Sequence, residues 1–258
     1  MLAPEVDVAS VAARLDGARL SGATLDAASV PVGDLATAYA VQDALTARRV
    51  ARGARRVGWK LGYTSTVMRE QMGIDDPNVG PLLDTMRRTT GATVGEGLLQ
   101  PRVEPEVALV LDVDVAAPLE PHEALAACRE AVVALEVVDS VWTAYAMDLE
   151  HNTADGSSAA HVVVGPPLPL EVLADVEVAL LRNGSRVGTG AGRDALGHPA
   201  AALSWLTAVL AARGEALRAG DLVLTGGLTA AVPLEPGDVV HAEFEHPSMS
   251  LRRVAVRR

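Results

Sequence analysis

The sequence is short of most residues that build covalent or compartment-specific chemistry. One cysteine, Cys128, occurs in 258 residues, which excludes an internal disulfide and a cysteine-built zinc site. It lies in Ala126-Ala-Cys-Arg-Glu-Ala131, an expected helix, and reads there as a small apolar filler. Aromatic residues are few (one Phe, three Tyr and three Trp), so Val, Leu and Ala must fill most of the core. Basic charge is short too. With 22 Lys and Arg against 33 Asp and Glu the net charge is −11, and a nucleic-acid partner, which requires a basic face, is not expected. No run of about 20 apolar residues is read, so no membrane span is expected. The N-terminal Met-Leu-Ala-Pro-Glu-Val-Asp has neither the basic start nor the apolar run of a secretion signal. A cytoplasmic protein is the expectation.

What is present is ample core material, 49% apolar, in a length that suits one large domain or a core with a small appendage. Residues 5–55 read as helical. Asp34 is an expected N-cap for a helix carrying Leu35, Tyr39, Val41 and Leu45 at helical spacing. Arg56-Val-Gly-Trp-Lys-Leu-Gly62 reads as a short strand. Thr64-Ser65 caps an expected helix through Met72, and a loop is expected from Gly73 to Gly80. From about residue 100 strands dominate, at 105–112, 132–139, 158–165, 174–190, 221–225, 238–245 and 248–256, with Asn183-Gly184 as a hairpin turn. Helices are expected near 121–131 and 199–214. Strands in runs with segregated helices predict an α+β fold, with residues 1–90 a mainly helical N-terminal part and 91–258 a β-rich core.

Three carboxylates interrupt apolar strand patterns. Glu104 and Glu106 lie in Arg102-Val-Glu-Pro-Glu-Val-Ala-Leu-Val-Leu111, and Glu136 in Val132-Val-Ala-Leu-Glu-Val-Val-Asp139. Residues two apart on a strand share a face, so Glu104 and Glu106 point the same way. A buried, unpaired carboxylate costs several kcal/mol or more and persists beside a cation or donor. One such acid is explained by a local partner (Arg102 for Glu104, a turn for Asp139). Three together point to a hard divalent cation, Mg²⁺ or Mn²⁺. Asp148 and Asp155 are weaker candidates for the same site.

Lys60 sits between apolar residues and the glycines Gly58 and Gly62. In such a strand a lysine either snorkels to solvent or meets an anion, and the glycines let a ligand or another backbone come close. Gly156-Ser-Ser158 offers hydroxyl donors at a strand start or forms an ordinary turn. His198, just before a helix that opens on Pro199, reads as a local hydrogen-bonding residue. Thr225-Gly-Gly-Leu-Thr229 lacks the lysine and length of a phosphate loop and reads as a tight turn along a pocket wall.

Six segments, in this order, carry a family likeness: Gly58-Trp-Lys-Leu-Gly-Tyr-Thr-Ser65, Gln100-Pro-Arg-Val-Glu-Pro-Glu-Val-Ala-Leu-Val-Leu111, Ala134-Leu-Glu-Val-Val-Asp-Ser140, Ala154-Asp-Gly-Ser-Ser158, Leu196-Gly-His-Pro199 and Leu224-Thr-Gly-Gly-Leu-Thr-Ala-Ala-Val-Pro233. Together they resemble the hydratase/decarboxylase branch of the fumarylacetoacetate hydrolase family, from about residue 35 onward. The resemblance implies a helical N-terminal part with a C-terminal mixed β-roll or barrel-like core, assembled into homo-oligomers. It implies that Glu104, Glu106 and Glu136 bind Mg²⁺ or Mn²⁺. Lys60 would meet the substrate carboxylate or developing enolate, and Leu61, Ser158 and Thr225 would line the pocket.

Two reactions are compatible with that likeness, both acting on a small 2-oxo or 2-hydroxy dienoic acid through a metal-stabilised enolate. Hydration of a 2-hydroxy-2,4-dienoate to a 4-hydroxy-2-oxo acid is the first expectation, with Lys60 and an acid such as Asp75 as acid–base groups. Decarboxylation of the 4-oxalocrotonate type is the alternative. A repurposed biosynthetic member, or a non-catalytic partner of a pathway enzyme, is the third. The chain departs from the resembling hydratases in two places. Pro77-Asn-Val-Gly80 has Asn78 where they carry an acid, and Asp155-Gly-Ser-Ser158 is one residue short. The missing acid fits decarboxylation better, since that reaction needs no base to activate water.

Overall fold

The computed structural model describes residues 6–65, 69, 74, 76–95, 97–245 and 249–256. The N-terminal part opens with helix α1 (Val8–Ser21), whose Asp7 cap accepts from Ser10 N. Helix α2 (Leu35–Ala51) follows, with Asp34 accepting from Thr37 N as expected. Residues 22–34 separate the two, so the helical reading of 5–55 resolves into two helices. Val11, Leu15, Val41 and Leu45 pack between them and against Trp142, forming a core of their own.

Strands β1 (Arg56–Gly62), β2 (Asn78–Leu83) and β3 (Arg87–Thr89) come next, before residue 90. Then follow β4 (Thr93–Val94), β5 (Arg102–Leu111), a short helix α3 (Pro121–Ala126) and β6 (Cys128–Val138). Helix α4 (Leu149–Ala154) leads into β7 (Ala159–Leu168) and the hairpin β8 (Glu177–Arg182) and β9 (Ser185–Ala191). Helix α5 (Pro199–Ala212) precedes β10 (Leu222–Gly227), β11 (Val232–Pro233), β12 (Val239–Phe244) and β13 (Met249–Val256).

The strands form an eight-stranded mixed sheet, ordered β2-β1-β10-β5-β6-β7-β3 with β11 also on β5, and a five-stranded sheet ordered β4-β13-β12-β8-β9. The architecture is α+β, as the sequence pattern predicts. The large sheet runs across residue 90, because β1 pairs in parallel with β10 and β3 with β7.

Two expectations are corrected. The helix near 121–131 stops at Ala126, and Cys128 begins β6, paired with Leu111. Ladder pairing with β5 overrides the helical propensity of the Ala-rich run. The loop expected through Gly80 ends earlier, since Asn78 already pairs with Gly62. The stretch Gly192–Ala212 also reaches the length and apolarity of a membrane span, which the sequence reading missed. Ala202, Leu203, Leu206 and Leu210 of α5 are buried in the main core, and that packing accounts for the apolar run.

Strand alternation gives the large sheet two different faces. Val103, Val107, Leu109, Val133, Leu135 and Val137 join the main core. Ala108, Val110, Val132, Ala134, Leu222 and Leu224 form a smaller cluster on the opposite face. Glu104 and Glu106 share parity with Ala108, and Glu136 with Ala134, so all three acids lie on the second face. A buried amide ties the helical part to this region: Gln42 Nε2 donates to Val79 O at 2.8 Å and to Thr153 O at 2.7 Å.

Candidate metal centre and active site

Antiparallel register builds the acidic cluster. Glu104 stands directly opposite Glu136 across β5 and β6, and Glu106 is next along the same face. One carboxylate oxygen from each lies within 4.8 Å of the others. Glu106 and Glu136 are fully buried, and Glu106 Oε1 and Glu136 Oε1 have no hydrogen-bond partner among the described residues. Orphaned buried carboxylate oxygens cost several kcal/mol unless a cation meets them. An all-oxygen donor set of this kind fits a hard divalent ion.

Glu106 is held from the other side by Gly226, whose N–H donates to Glu106 Oε2 at 2.8 Å. Gly226 sits at a bulge, where register shifts between Leu224 and Gly227, with φ +110. A Cβ there would stand 1.9 Å from Thr64 Oγ1, so the position requires glycine. No sequence signal marked Gly226 as a holder of Glu106; the Gly-Gly pair after a strand was the available hint.

Lys60 supplies the counter-charge. Its Nζ lies 3.0 Å from Glu136 Oε2, at ion-pair distance, and donates to Ser157 O at 3.1 Å. Burial works against the ammonium, but the charges of Glu136, Glu104 and Glu106 outweigh it and raise the lysine pKa. Snorkelling is thereby overturned. Burial, then the charge of Glu136, pushes Glu104 up to about 7. Burial, then Glu136 and Glu104, pushes Glu106 well above the usual carboxylate range. Three acids crowded into little solvent therefore favour a bound cation or a proton.

The cluster opens on a cavity of about 440 Å³, whose walls include Lys60, Leu61, Tyr63, Arg102, Glu104 and Ser158. Leu61 meets it while packing mainly in the core. Ser158, with φ +56, accepts from Asn152 Nδ2 at 2.9 Å. Gly156 and Ser157 also have positive φ, so the shortened loop is wound tightly into the site. Thr225 is buried with its hydroxyl donating to Val107 O at 2.9 Å, and Gly227, Ala230 and Ala231 of the same turn form the wall instead. Asp75 lies outside the described residues, and its neighbour Asp76 is exposed.

Other acids stay away from the cluster. Asp148 caps α4 and pairs with His151, while Asp155 accepts from Ser140 Oγ, Ser158 N and Val141 N. Arg102 does not pair with Glu104; its guanidinium lies over the Tyr145 ring at 4.1 Å. Asn78 is fully buried, with Nδ2 donating to Asn152 Oδ1 and Thr153 Oγ1 and Oδ1 accepting from Ser157 Oγ. His198 accepts from Ala200 N, the local role expected of it. Cys128 is buried with its thiol pushed up to about 12 by desolvation, which makes it inert.

The family model for the fumarylacetoacetate (FAA) hydrolase C-terminal region matches residues 71–254. The chain belongs to the fumarylacetoacetate hydrolase family. A 2-keto-4-pentenoate hydratase from Paraburkholderia xenovorans is 38% identical over 230 residues, covering 83% of this chain and 85% of that protein. A 4-oxalocrotonate decarboxylase from a Pseudomonas strain is 35% identical over 215 residues, 81% of each chain. The crystallised 4-oxalocrotonate decarboxylase from Pseudomonas putida, complexed with magnesium and adipate, superposes with a TM-score of 0.90 at 32% identity. It covers 97% of this chain and 96% of that one. A second structure of that decarboxylase holds calcium and acetate. Relatives within the family thus include both hydratases and decarboxylases, and one of them carries divalent cations.

Proposed function

We propose that the chain is a Mg²⁺-dependent lyase, with Mn²⁺ as second choice, that hydrates a 2-hydroxy-2,4-dienoate to a 4-hydroxy-2-oxo acid. The carrying observation is the convergence of Glu104, Glu106 and Glu136, the last two with orphaned oxygens, around a buried charged Lys60 that shares the cavity wall with Glu104. A divalent cation bound there would supply the Lewis acidity that favours an enolate. The three glutamates would hold the cation. Lys60, kept as an ammonium in a site of low dielectric, donates toward the negative charge that develops on the substrate oxygens. Ser158 and the turn after Thr225 shape the pocket. Asp75 remains the acid proposed for proton transfer to or from water. The enzyme is proposed to act in the cytoplasm as a homo-oligomer, in association with a pathway partner.

One observation favours decarboxylation as a second reading. Among the described residues, Glu104 is the only Asp or Glu on the cavity wall, and Asn78 offers an amide already committed to three neighbours. Loss of CO₂ into a dienolate needs no base to activate water.

Purified protein with Mg²⁺ is expected to bleach the dienoate absorbance of 2-hydroxypenta-2,4-dienoate. An unchanged spectrum rejects hydration, and CO₂ release from 2-oxohex-3-enedioate would then support the second reading. Glu104→Gln and Glu106→Gln should each weaken Mg²⁺ binding in calorimetric titration. Affinities equal to wild type would reject the metal site itself.

A further inference from the structure

We propose that Tyr63 is the acid that delivers a proton to C5 of the dienoate, a catalytic role separate from those of the glutamates, Lys60 and Asp75. The proposal rests on the hydration reading and names a donor for a step that reading leaves without one.

Substrate and product set the requirement. Passing from a 2-hydroxy-2,4-dienoate to a 4-hydroxy-2-oxo acid adds a hydrogen to C5, a hydrogen to C3 and a hydroxyl to C4. C4 accepts water only when it is conjugated to the C2 carbonyl, which follows once C5 has taken its proton. The donor must therefore face the bound carbon chain with a transferable hydrogen.

Most hydroxyls on the cavity wall are already engaged. Ser157 donates to Asn78 Oδ1 at 3.0 Å, Ser158 is turned to Asp155 Oδ1 at 3.4 Å, and Tyr145 donates to Val138 O at 3.2 Å. Lys60 is committed to Glu136 and to the Ser157 carbonyl. Tyr63 differs. It is half-buried on the same wall, its hydroxyl makes no hydrogen bond among the described residues, and it is not one of the buried orphaned atoms. Of the three tyrosines, the other two have engaged hydroxyls, Tyr39 accepting from Val79 N at 3.3 Å. The Tyr63 hydroxyl is thus open to the cavity, and a phenol is a far stronger acid than the serines beside it.

The backbone holds this side chain in place. Tyr63 follows the last residue of β1 with φ +58, and its carbonyl accepts from Arg69 Nη1 at 2.7 Å. Of the seven non-glycine residues with positive φ among the described residues, five line this cavity: Tyr63, Ala144, Tyr145, Ser157 and Ser158. Such conformations cost energy and persist where the surrounding structure enforces them, commonly around reacting groups. Burial pushes the Tyr63 phenol up to about 12 against the opposing charge of Lys60, so the group bears its proton at neutral pH.

In the step itself the Tyr63 O–H bond breaks and its electron pair stays on the phenolate oxygen, near the Lys60 ammonium. The C4=C5 electrons of the dienolate form the new C5–H bond, C3=C4 becomes the double bond and C2=O is restored. Water then adds at C4 and gives up a proton that returns the phenolate to phenol. The proton lost from the 2-hydroxyl balances the one taken up at C3.

The test compares two substrates, 2-hydroxypenta-2,4-dienoate and 2-oxopent-3-enoate, in which C5 already carries its third hydrogen. Tyr63→Phe with Mg²⁺ should turn over the dienoate at least about a hundredfold more slowly than wild type. It should hydrate the enone at close to the wild-type rate, and should bind Mg²⁺ and the saturated 2-oxopentanoate as wild type does in calorimetric titration. A variant that bleaches the dienoate at the wild-type rate overturns the proposal. So does one that loses both substrates alike, or loses Mg²⁺ affinity, because Tyr63 is then shaping the pocket. A wild type that consumes the dienoate but leaves the enone untouched overturns the order of steps and the proposal with it. If wild type leaves the dienoate unchanged, the hydration reading itself falls and takes this inference with it.

Discussion

Replacing Lys60 by Met should move stability and metal affinity in opposite directions. Among the described residues Lys60 is the cation that acts on Glu104 and Glu106, and its Nζ is 3.0 Å from Glu136 Oε2. Met keeps most of the volume, so the change is chiefly one of charge. Removing one partner of a buried ion pair costs about 3–5 kcal/mol, and the lower end applies here because Glu104, already lifted to about 7, can take a proton. In metal-free protein the urea midpoint should therefore fall. Metal binding gains instead. With a metal–oxygen distance of about 2 Å added to the observed 3.0 Å, a dication held by that Glu136 oxygen would stand no more than about 5 Å from the ammonium. At an effective dielectric of about 20, the repulsion between them is about 6–7 kcal/mol. Even a fifth of that, surviving solvent and relaxation, is a tenfold tightening of Mg²⁺. Calorimetric titration with Mg²⁺ and urea unfolding with and without it read both effects, and turnover should be lost although the metal is held more firmly. Weaker Mg²⁺ binding in Lys60→Met, or unchanged metal-free stability, would refute the electrostatic account of this site.

Gly226→Ala would set a methyl group 1.9 Å from Thr64 Oγ1 at a φ of +110; it should cost about 1–3 kcal/mol in urea unfolding and weaken Mg²⁺ by displacing the N–H that holds Glu106. Asn78→Asp replaces a two-fold donor with an acceptor facing Asn152 Oδ1 and Thr153 Oγ1. It should cost about 1–3 kcal/mol, and a variant as stable as wild type would show that the amide is not the hub of this loop. Burial, aided by Arg88, lowers the His161 pKa from 6.5 to about 4. The unfolded chain then binds the proton more readily, so the contribution is full above pH 6.5 and is lost as pH falls through about 4. Stability at pH 5 should be about 2 kcal/mol lower than at pH 8 from this residue alone. His161→Leu should remove that part of the pH dependence, measured by denaturant unfolding at the two values.

The parts of this molecule legible in its sequence are those written in short-range patterns. Glu104, Glu106 and Glu136 stood out because strand alternation sets each acid among apolar neighbours, and the Asn183-Gly184 turn and the Asp34 cap announced themselves locally. Cys128 was misread because an Ala-rich run favours helix while its true partner, Leu111, is supplied by another strand. The parallel pairing of Gly58 to Lys60 with Leu222 to Leu224 joins segments far apart, and no local feature encodes it. Arg102 was visible only as a neighbour of Glu104, since Tyr145 reaches it from a different turn.

Register is what converts these local patterns into a site. Glu136 faces Glu104 because β5 and β6 pair with Glu104 opposite Glu136 and Glu106 opposite Ala134. A slip of one residue in β6 would turn Glu136 into the main core and bring Leu135 or Val137 to the acidic face. The cost of burying Glu136 without a counter-charge, together with the removal of Val133, Leu135 and Val137 from the core, forbids that slip. The same acids that later need a cation therefore help to select the strand alignment that assembles them. The bulge at Thr225-Gly226 completes the argument from the other side. It adds one residue to β10 between Leu224 and Gly227, which aims the Gly226 N–H at Glu106 while Lys60, on β1 next to β10, stays on the acidic face. Metal ligation, counter-charge and strand order are thus consequences of one arrangement of register, and a substitution that shifts any of these four strands should disturb all of them together.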